Sequence, residues 1–207
     1  MYKAIVGFLL FWCKISGCKL EGLENLPKTG AVVTMANHVH VFDPLLLASA
    51  WWGIKRPVRF MGKAEFFEKK FLGKIFRALG AFPVNRGEAD IASLKTALGI
   101  LKEEQVLGIF PEGTRGDGSA LLRPQPGTVL LALRSGAPIV PMAIVGADKV
   151  LPQGKRFPRP AKVKIFIGEA IRLPTAPKGL PRETMGEYSQ LLMDRIDELR
   201  SHDTTAA

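Results

Sequence analysis

The sequence predicts an α/β fold, with one domain built on a largely parallel or mixed sheet flanked by helices. Short β-branched runs alternate with segments of helical spacing along most of the chain. The length of 207 residues suits a single domain with a sizeable core. Apolar residues make up 47% and charged residues 23%, which excludes disordered and collagen-like chains. No segment repeats at solenoid or propeller period.

Each predicted element follows from its local pattern. Short apolar runs between turn residues predict strands at 31–35, 57–61, 81–85, 106–110, 138–145 and 162–167. Helical spacing predicts helices at 44–52, 65–79, 89–104, 127–134 and 183–200. The Pro- and Gly-rich stretch 152–160 is expected to be a loop within the domain, and the tail 203–207 is expected to fray.

The segment 65–79 has the clearest amphipathic pattern. Its apolar half carries Phe67, Phe71, Leu72, Ile75, Phe76 and Leu79, and its other half carries Lys69, Lys70, Lys74 and Arg77. Two interpretations stay open. The segment is either a surface helix with a solvated basic face, or a helix that lies on an anionic membrane with its aromatic side chains inward.

The first 20 residues predict an interfacial anchor helix, followed by the main domain over 21–203. The apolar run 4–13 lies between Lys3 and Lys14 and is about half as long as the roughly 20 residues that cross a bilayer. A helix packed on the core and a lipoprotein signal ending at Cys18 are the alternatives. The signal is the weaker of these because Lys14 interrupts the approach to the cysteine.

Charge and cysteine content narrow the classes of partner. The net charge of +10 favours an anionic partner, which could be nucleic acid, an anionic membrane or a phosphorylated substrate. Nucleic acid is disfavoured because the basic residues are dispersed and not interleaved with aromatic ones. The only cysteines are Cys13 and Cys18, so a disulfide framework is excluded, and no spacing predicts a metal site.

Three polar clusters each follow a predicted strand, where open α/β sheets place their sites. In the first, 37–44, His38 could act as a base that Asp43 orients by accepting from Nδ1. Alternatively Asp43 caps a helix that begins with Pro44, and its two oxygens could serve both roles. His40 is interpreted as packed or facing solvent.

The second cluster is 110–115, in which Glu112, Gly113, Thr114 and Arg115 follow a buried strand. Glycine lets backbone N–H groups approach a ligand, and arginine offers a bidentate fork for phosphate. The alternative is a solvated loop with a Glu–Arg pair. The third cluster is a strand that ends in Arg86; Lys63 is a further cation, and both could simply be solvated.

In chain order these residues resemble the four motifs of the glycerolipid acyltransferase family. The matching stretches are Asn37-His38-x4-Asp43, Gly80-x-Phe82-x3-Arg86, Phe110-Pro111-Glu112-Gly113-Thr114-Arg115 and Val140-Pro141-Met142-Ala143. The first and third are specific, the others looser, and the resemblance covers about 20–172. It implies transfer of an acyl group from acyl-CoA or acyl carrier protein to the 2-hydroxyl of 1-acyl-glycerol-3-phosphate, giving phosphatidic acid.

The resemblance also implies roles for individual residues. His38 would be the general base, oriented by Asp43, with no covalent acyl-enzyme, no metal and no bound cofactor. Arg86, Thr114 and Arg115, with help from Lys63, would hold the acceptor phosphate. Glu112 would order its loop by pairing with a cation or by bonding the glycerol, and Gly113 would belong to the substrate-binding residues.

The implied enzyme is peripheral, at the cytoplasmic face of the cell membrane, where it meets a lipid acceptor. Rival interpretations are another acceptor such as glycerol-3-phosphate or a lysoglycolipid, a non-catalytic lipid- or anion-binding domain, and a hydrolase. Acyl length, the choice of donor and the oligomeric state stay open.

Overall fold

A seven-stranded sheet forms the centre of the molecule. A computed structural model describes residues 7, 18–84, 91–125, 128–150, 159, 161–176, 178 and 180–202. The strands are β1 (Lys19–Glu21), β2 (Val32–Ala36), β3 (Val58–Lys63), β4 (Ala81–Val84), β5 (Val106–Ile109), β6 (Ile139–Val145) and β7 (Lys164–Ile167). Their order across the sheet is β1-β7-β6-β2-β5-β3-β4. Neighbours pair in parallel, except that β6 and β7 are antiparallel. The predicted α/β fold with a largely parallel, mixed sheet is therefore confirmed.

Helices cover both faces of this sheet. They are α1 (Asp43–Trp52), α2 (Glu65–Glu68), α3 (Lys70–Ala78), α4 (Ile91–Lys102), α5 (Leu130–Ser135) and α6 (Arg182–Ser201), with short 3-10 turns at Leu23–Asn25 and Ala147–Lys149. Side chains from α1, α2 and α3 join one apolar core, and those from α4, α5 and α6 join the other. The sheet is thus the middle layer of three.

Strand β2 is buried on both faces, as expected for a central parallel strand. Val32 and Ala36 belong to one core, and Val33 and Met35 belong to the other. Because β2 lies between β5 and β6, the loop that follows it starts from the most constrained part of the sheet.

The carboxyl ends of five mutually parallel strands lie at one edge of the sheet. In spatial order these are β6, β2, β5 and β3, with β4 outermost. The loop 37–42 follows β2, the loop 110–125 follows β5, and Lys63 ends β3. The first two predicted clusters and Lys63 therefore share one edge.

The prediction of one continuous helix over 65–79 is wrong, because this segment forms two helices, α2 and α3. Lys69 between them is extended, with φ −72° and ψ 113°. Phe67 and Phe76 both pack into the core of the α1 face. The bend at Lys69 lets both rings reach that core, and it leaves Phe71 outside the buried half on which the periodicity placed it.

Strand β1 was not predicted. Lys19 and Leu20, the last residues of the predicted anchor segment 1–20, pair in parallel with β7. Three residues with one partly buried side chain carry too little periodicity to reveal a strand. Smaller differences are that α5 begins at Leu130 and β7 at Lys164, each later than expected.

Several predictions fall outside the described residues. These predictions are the anchor helix up to residue 17, the site residue Arg86, the loop 152–160 and the tail 203–207. Within these stretches only Gly7 and Arg159 are described. Within the described part of the chain, no helix combines the length and the apolarity needed to cross a bilayer.

Candidate active site

His38 and Asp43 form a hydrogen-bonded pair directly after β2. His38 Nδ1 lies 2.8 Å from Asp43 Oδ2, and the two side chains are 15% and 0% exposed. A carboxylate only accepts, so Nδ1 carries the hydrogen and Nε2 is the basic nitrogen. The predicted contact between imidazole and carboxylate is therefore present.

Asp43 also folds the loop that holds His38. Its Oδ2 accepts the backbone N–H groups of Val39 and His40, each at 2.7 Å. Phe42 occupies the N-cap of α1 without a side-chain cap hydrogen bond, so the alternative role of Asp43 as a cap is not realised. Oδ1 is buried and has no partner among the described residues. Three donors on one oxygen fix the carboxylate relative to the imidazole.

Asn37 anchors the same loop to β6, a role that the sequence did not reveal. Its side-chain Nδ2 donates to Ile144 O at 2.9 Å, and its Oδ1 accepts from Ile144 N–H at 2.7 Å. The buried amide thus extends the pairing of β2 with β6 beyond Ala36 and Met142. The signal available in the sequence was an amide directly between a buried strand and the histidine.

Glu112 holds the backbone of His38 from the neighbouring loop. It is 2% exposed, its Oε1 accepts His38 N–H at 2.8 Å, and its Oε2 accepts Leu122 N–H at 3.0 Å. Gly116 N–H donates to His38 O at 2.8 Å. In the described part of the chain Glu112 thus bonds two backbone amides and no cation, and one of these bonds holds the backbone of His38. A bond from Glu112 to the glycerol of the acceptor stays a prediction.

Phe110 supports the imidazole from its face. The two rings stack with centroids 4.2 Å apart and planes at 23°. Phe60 lies behind Phe110 at 6.3 Å and 12°. Gly108 makes room for Phe60, since a Cβ there would come within 2.4 Å of its ring. Asp43 at the edge and Phe110 at the face therefore define the position of the ring.

Three of the four predicted phosphate-binding residues are described by the structure. Thr114 and Arg115 follow Glu112, are exposed, and have no hydrogen-bond or ion-pair partner in the described part of the chain. Gly113 before them adopts φ 68°, which favours glycine. Lys63 Nζ pairs with exposed Glu65 at 2.8 Å. Arg86 is not described.

Comparison with known proteins decides the family. The family model described as Acyltransferase matches residues 17–145, which include His38, Asp43 and the loop 110–115. The chain belongs to the Acyltransferase family. The resemblance found in the motifs is therefore confirmed.

Two relatives and one solved structure show how close the likeness is. The chain is 31% identical over 185 residues to a 1-acyl-sn-glycerol-3-phosphate acyltransferase of Bacillus subtilis, covering 89% of each chain. It is 30% identical over 139 residues to one of Borreliella burgdorferi, covering 65% of this chain and 54% of that one. The crystal structure of the 1-acyl-sn-glycerophosphate acyltransferase PlsC from Thermotoga maritima matches with a TM-score of 0.72 and 25% identity, covering 97% and 81% of the two chains.

In this acyltransferase the C-terminal helix supports the loop that carries Glu112. Arg200 of α6 donates to Gly118 O at 3.1 Å and pairs with Asp197 at 3.2 Å. Ser119 donates to Asp117 through its hydroxyl and its backbone N–H, and these bonds lower the pKa of that carboxyl. A cavity of about 400 Å³ lies between residues 119–124 and α6.

Among the described residues, no group of three or more acidic, His or Cys side chains could hold a metal.

Proposed function

We propose that this acyltransferase moves a fatty acyl group from acyl-CoA or acyl carrier protein to the 2-hydroxyl of 1-acyl-glycerol-3-phosphate, giving phosphatidic acid. The observation that carries the proposal is the His38 Nδ1 to Asp43 Oδ2 contact of 2.8 Å at the carboxyl edge of the sheet. The names of the relatives from Bacillus and Borreliella support the acceptor.

His38 is the general base of the proposed reaction. Nε2 takes the proton from the acceptor hydroxyl while its oxygen attacks the thioester carbonyl. The buried Asp43 carboxylate stabilises the imidazolium that forms and keeps the ring in the required tautomer. A positioned base of this kind contributes typically about 10² to 10⁴-fold to the rate.

The transfer is proposed to be direct. The tetrahedral intermediate collapses, the C–S bond breaks, and the departing thiolate takes the proton that His38 holds. A thiol with a pKa of about 8.5 leaves readily without an intermediate acyl-enzyme. The surroundings of His38 support this, because in the described part of the chain no Ser or Cys side chain bonds to it.

The acceptor phosphate is proposed to bind beside the base. Arg115 and Thr114 are exposed on the loop whose Glu112 holds His38. Lys63 ends β3 at the same edge, and Arg86, which comes two residues after β4 in the sequence, completes the proposed set. Neither a metal nor a bound cofactor takes part in this reaction, since the thioester already activates the acyl group.

The enzyme is further proposed to be peripheral at the cytoplasmic face of the membrane. Its acceptor is a membrane lipid and its donor is made in the cytosol, so the site must lie at the interface between the two. The segment 1–20 is proposed as an interfacial anchor, on the strength of its apolar run between two lysines.

The test supplies detergent-solubilised protein with 1-acyl-glycerol-3-phosphate and palmitoyl-CoA, and measures released thiol and phosphatidic acid together. We expect one phosphatidic acid for each thiol. Thiol release with free fatty acid and no acylated lipid would identify a hydrolase. If neither product forms with acyl-CoA or acyl carrier protein, nor with glycerol-3-phosphate or a lysoglycolipid as acceptor, the acyltransferase proposal fails and a binding domain replaces it.

A further inference from the structure

We propose that the bent segment 65–78, formed by α2 and α3 and called here the elbow, docks the protein on an anionic lipid bilayer. In this proposal Phe71 enters the membrane interface and the lysines beside it contact acidic headgroups. The inference rests on the proposed function, which it deepens by assigning the surface that brings the site to its lipid.

The elbow is held in its bent form by aromatic contacts. Phe76 of α3 stacks on Phe66 of α2 at 5.3 Å and 7°, and lies 5.8 Å from buried Phe67. Gly73 packs so closely on α2 that a Cβ there would approach Phe67 O to 2.5 Å. The bend at Lys69 is therefore a packed feature of the fold.

The bend exposes aromatic surface. Phe71 is 78% exposed, the largest exposure among the big apolar side chains described, and Phe66 is 42% exposed. Single exposed apolar residues are common on proteins. Here two exposed aromatic side chains lie within three residues of the bend at Lys69, and exposed aromatic side chains on a lysine-rich segment are typical of segments that lie in the membrane interface.

The charge around these rings matches an anionic surface. Lys69, Lys70 and Lys74 are all exposed on the elbow. Of the two acidic residues in the segment, Glu65 is already paired with Lys63 at 2.8 Å. A lysine near an acidic bilayer is attracted to its headgroups, so these side chains reinforce the insertion of Phe71.

The position of the elbow orients the active site. α2 begins where β3 ends, and Ala64 N–H bonds to Val84 O at the carboxyl end of β4. α3 then returns to the start of β4, which pairs Ala81 with Phe60. The bend at Lys69 therefore lies towards the sheet edge that carries His38. Docking through the elbow would turn that edge to the bilayer, where the acceptor lies.

An acidic carrier protein is the other occupant that a basic surface could attract. The bilayer is favoured because a ring as exposed as Phe71 gains most from an apolar phase, while charge alone would suffice for an acidic protein.

The test measures how the full chain partitions between buffer and sedimented vesicles. The vesicles are phosphatidylcholine alone or phosphatidylcholine with phosphatidylglycerol. The variants are Phe71→Ser and the double variant Lys69→Gln with Lys70→Gln. Controls from the opposite face are Leu191→Ser on α6 and Lys95→Gln with Lys102→Gln on α4, all at exposed positions.

We expect Phe71→Ser to lower partitioning to the acidic vesicles on the order of tenfold, which corresponds to about 1.4 kcal/mol. The lysine variant should lose affinity for the acidic vesicles only, and the controls should bind like wild type. All variants should keep the wild-type thermal midpoint, because the changed side chains are exposed.

Acyl transfer in detergent separates the two proposals. Wild-type partitioning by both elbow variants would overturn the docking proposal while acyl transfer stands. An inactive protein whose vesicle binding depends on the elbow would overturn the proposed function alone. If the lysine variant instead raises the KM for acyl carrier protein in detergent and binds vesicles normally, the surface belongs to the carrier protein and the bilayer proposal is wrong.

Discussion

The backbone N–H of His38 donates to Oε1 of Glu112 at 2.8 Å, across a separation of 74 residues. The two residues lie in loops that follow different strands, β2 and β5, which are neighbours in the sheet. The second oxygen of Glu112 accepts from Leu122, so the carboxylate joins both ends of its own loop to the histidine. The backbone of the proposed base is therefore held in place by a buried acid from the neighbouring loop.

Replacing Glu112 with Gln tests this positioning role. The amide keeps one acceptor but sets an NH₂ group against a backbone N–H, which costs about 1–3 kcal/mol. We expect kcat to fall about tenfold or more while the acceptor KM changes little. Glu187→Gln, at an exposed position on α6, is the control. A rise in the acceptor KM without loss of kcat would contradict the positioning role and support a bond from Glu112 to the glycerol of the acceptor.

Replacing Asp43 with Asn tests the orientation of the imidazole. The carboxylate oxygen that meets His38 also accepts two backbone N–H groups, and an amide can keep those bonds without stabilising the imidazolium. We expect kcat to fall about 10² to 10⁴-fold in a folded protein, as measured by steady-state transfer. Asp148→Asn, on an exposed turn, should be active. Retained activity of Asp43→Asn would show that the pair is not catalytic.

Asn37→Ala addresses stability instead of chemistry. The change leaves the N–H and C=O of Ile144 without the hydrogen bonds that the buried amide of Asn37 makes to them. Each such group costs about 1–3 kcal/mol when left unpaired. The midpoint of denaturant unfolding should therefore drop clearly. An unchanged midpoint would mean that the hydrogen bonds from Asn37 to Ile144 do not contribute to the stability of the fold.

Arg115→Ala tests the phosphate site. The side chain is exposed on the loop of Glu112, so its loss should leave the fold intact. We expect a higher KM for 1-acyl-glycerol-3-phosphate and a smaller change in kcat, measured in detergent with the acyl donor saturating. Arg172→Ala, at another exposed position, provides the matched loss of charge. Equal effects of the two variants on the acceptor KM would show that Arg115 does not bind the acceptor phosphate.

The sequence predicted the fold and the contact between His38 and Asp43 because each depends on local signals. Buried strands such as β2 and β6 read as short β-branched runs, and the His38–Asp43 spacing places both groups in one loop. These local patterns report only on residues that are close in the sequence, so they do not show which distant segments come into contact.

Contacts between distant segments were harder to predict. The bond from His38 to Glu112 and the amide link from Asn37 to Ile144 both depend on which strands become neighbours. The bend at Lys69 depends on close packing between Gly73 and Phe67, which a helical pattern does not encode. Strand β1 is too short to have a period of its own, and its pairing with β7 defines it.

The most direct test of the account is the kcat of His38→Ala beside that of His202→Ala. His202 lies at an exposed position after α6, so its replacement controls for loss of an imidazole. Thiol release and phosphatidic acid should both fall about 10² to 10⁴-fold in His38→Ala, with an unchanged thermal midpoint, and should persist in His202→Ala. Transfer by folded His38→Ala near the wild-type rate would contradict the central claim that His38 is the base.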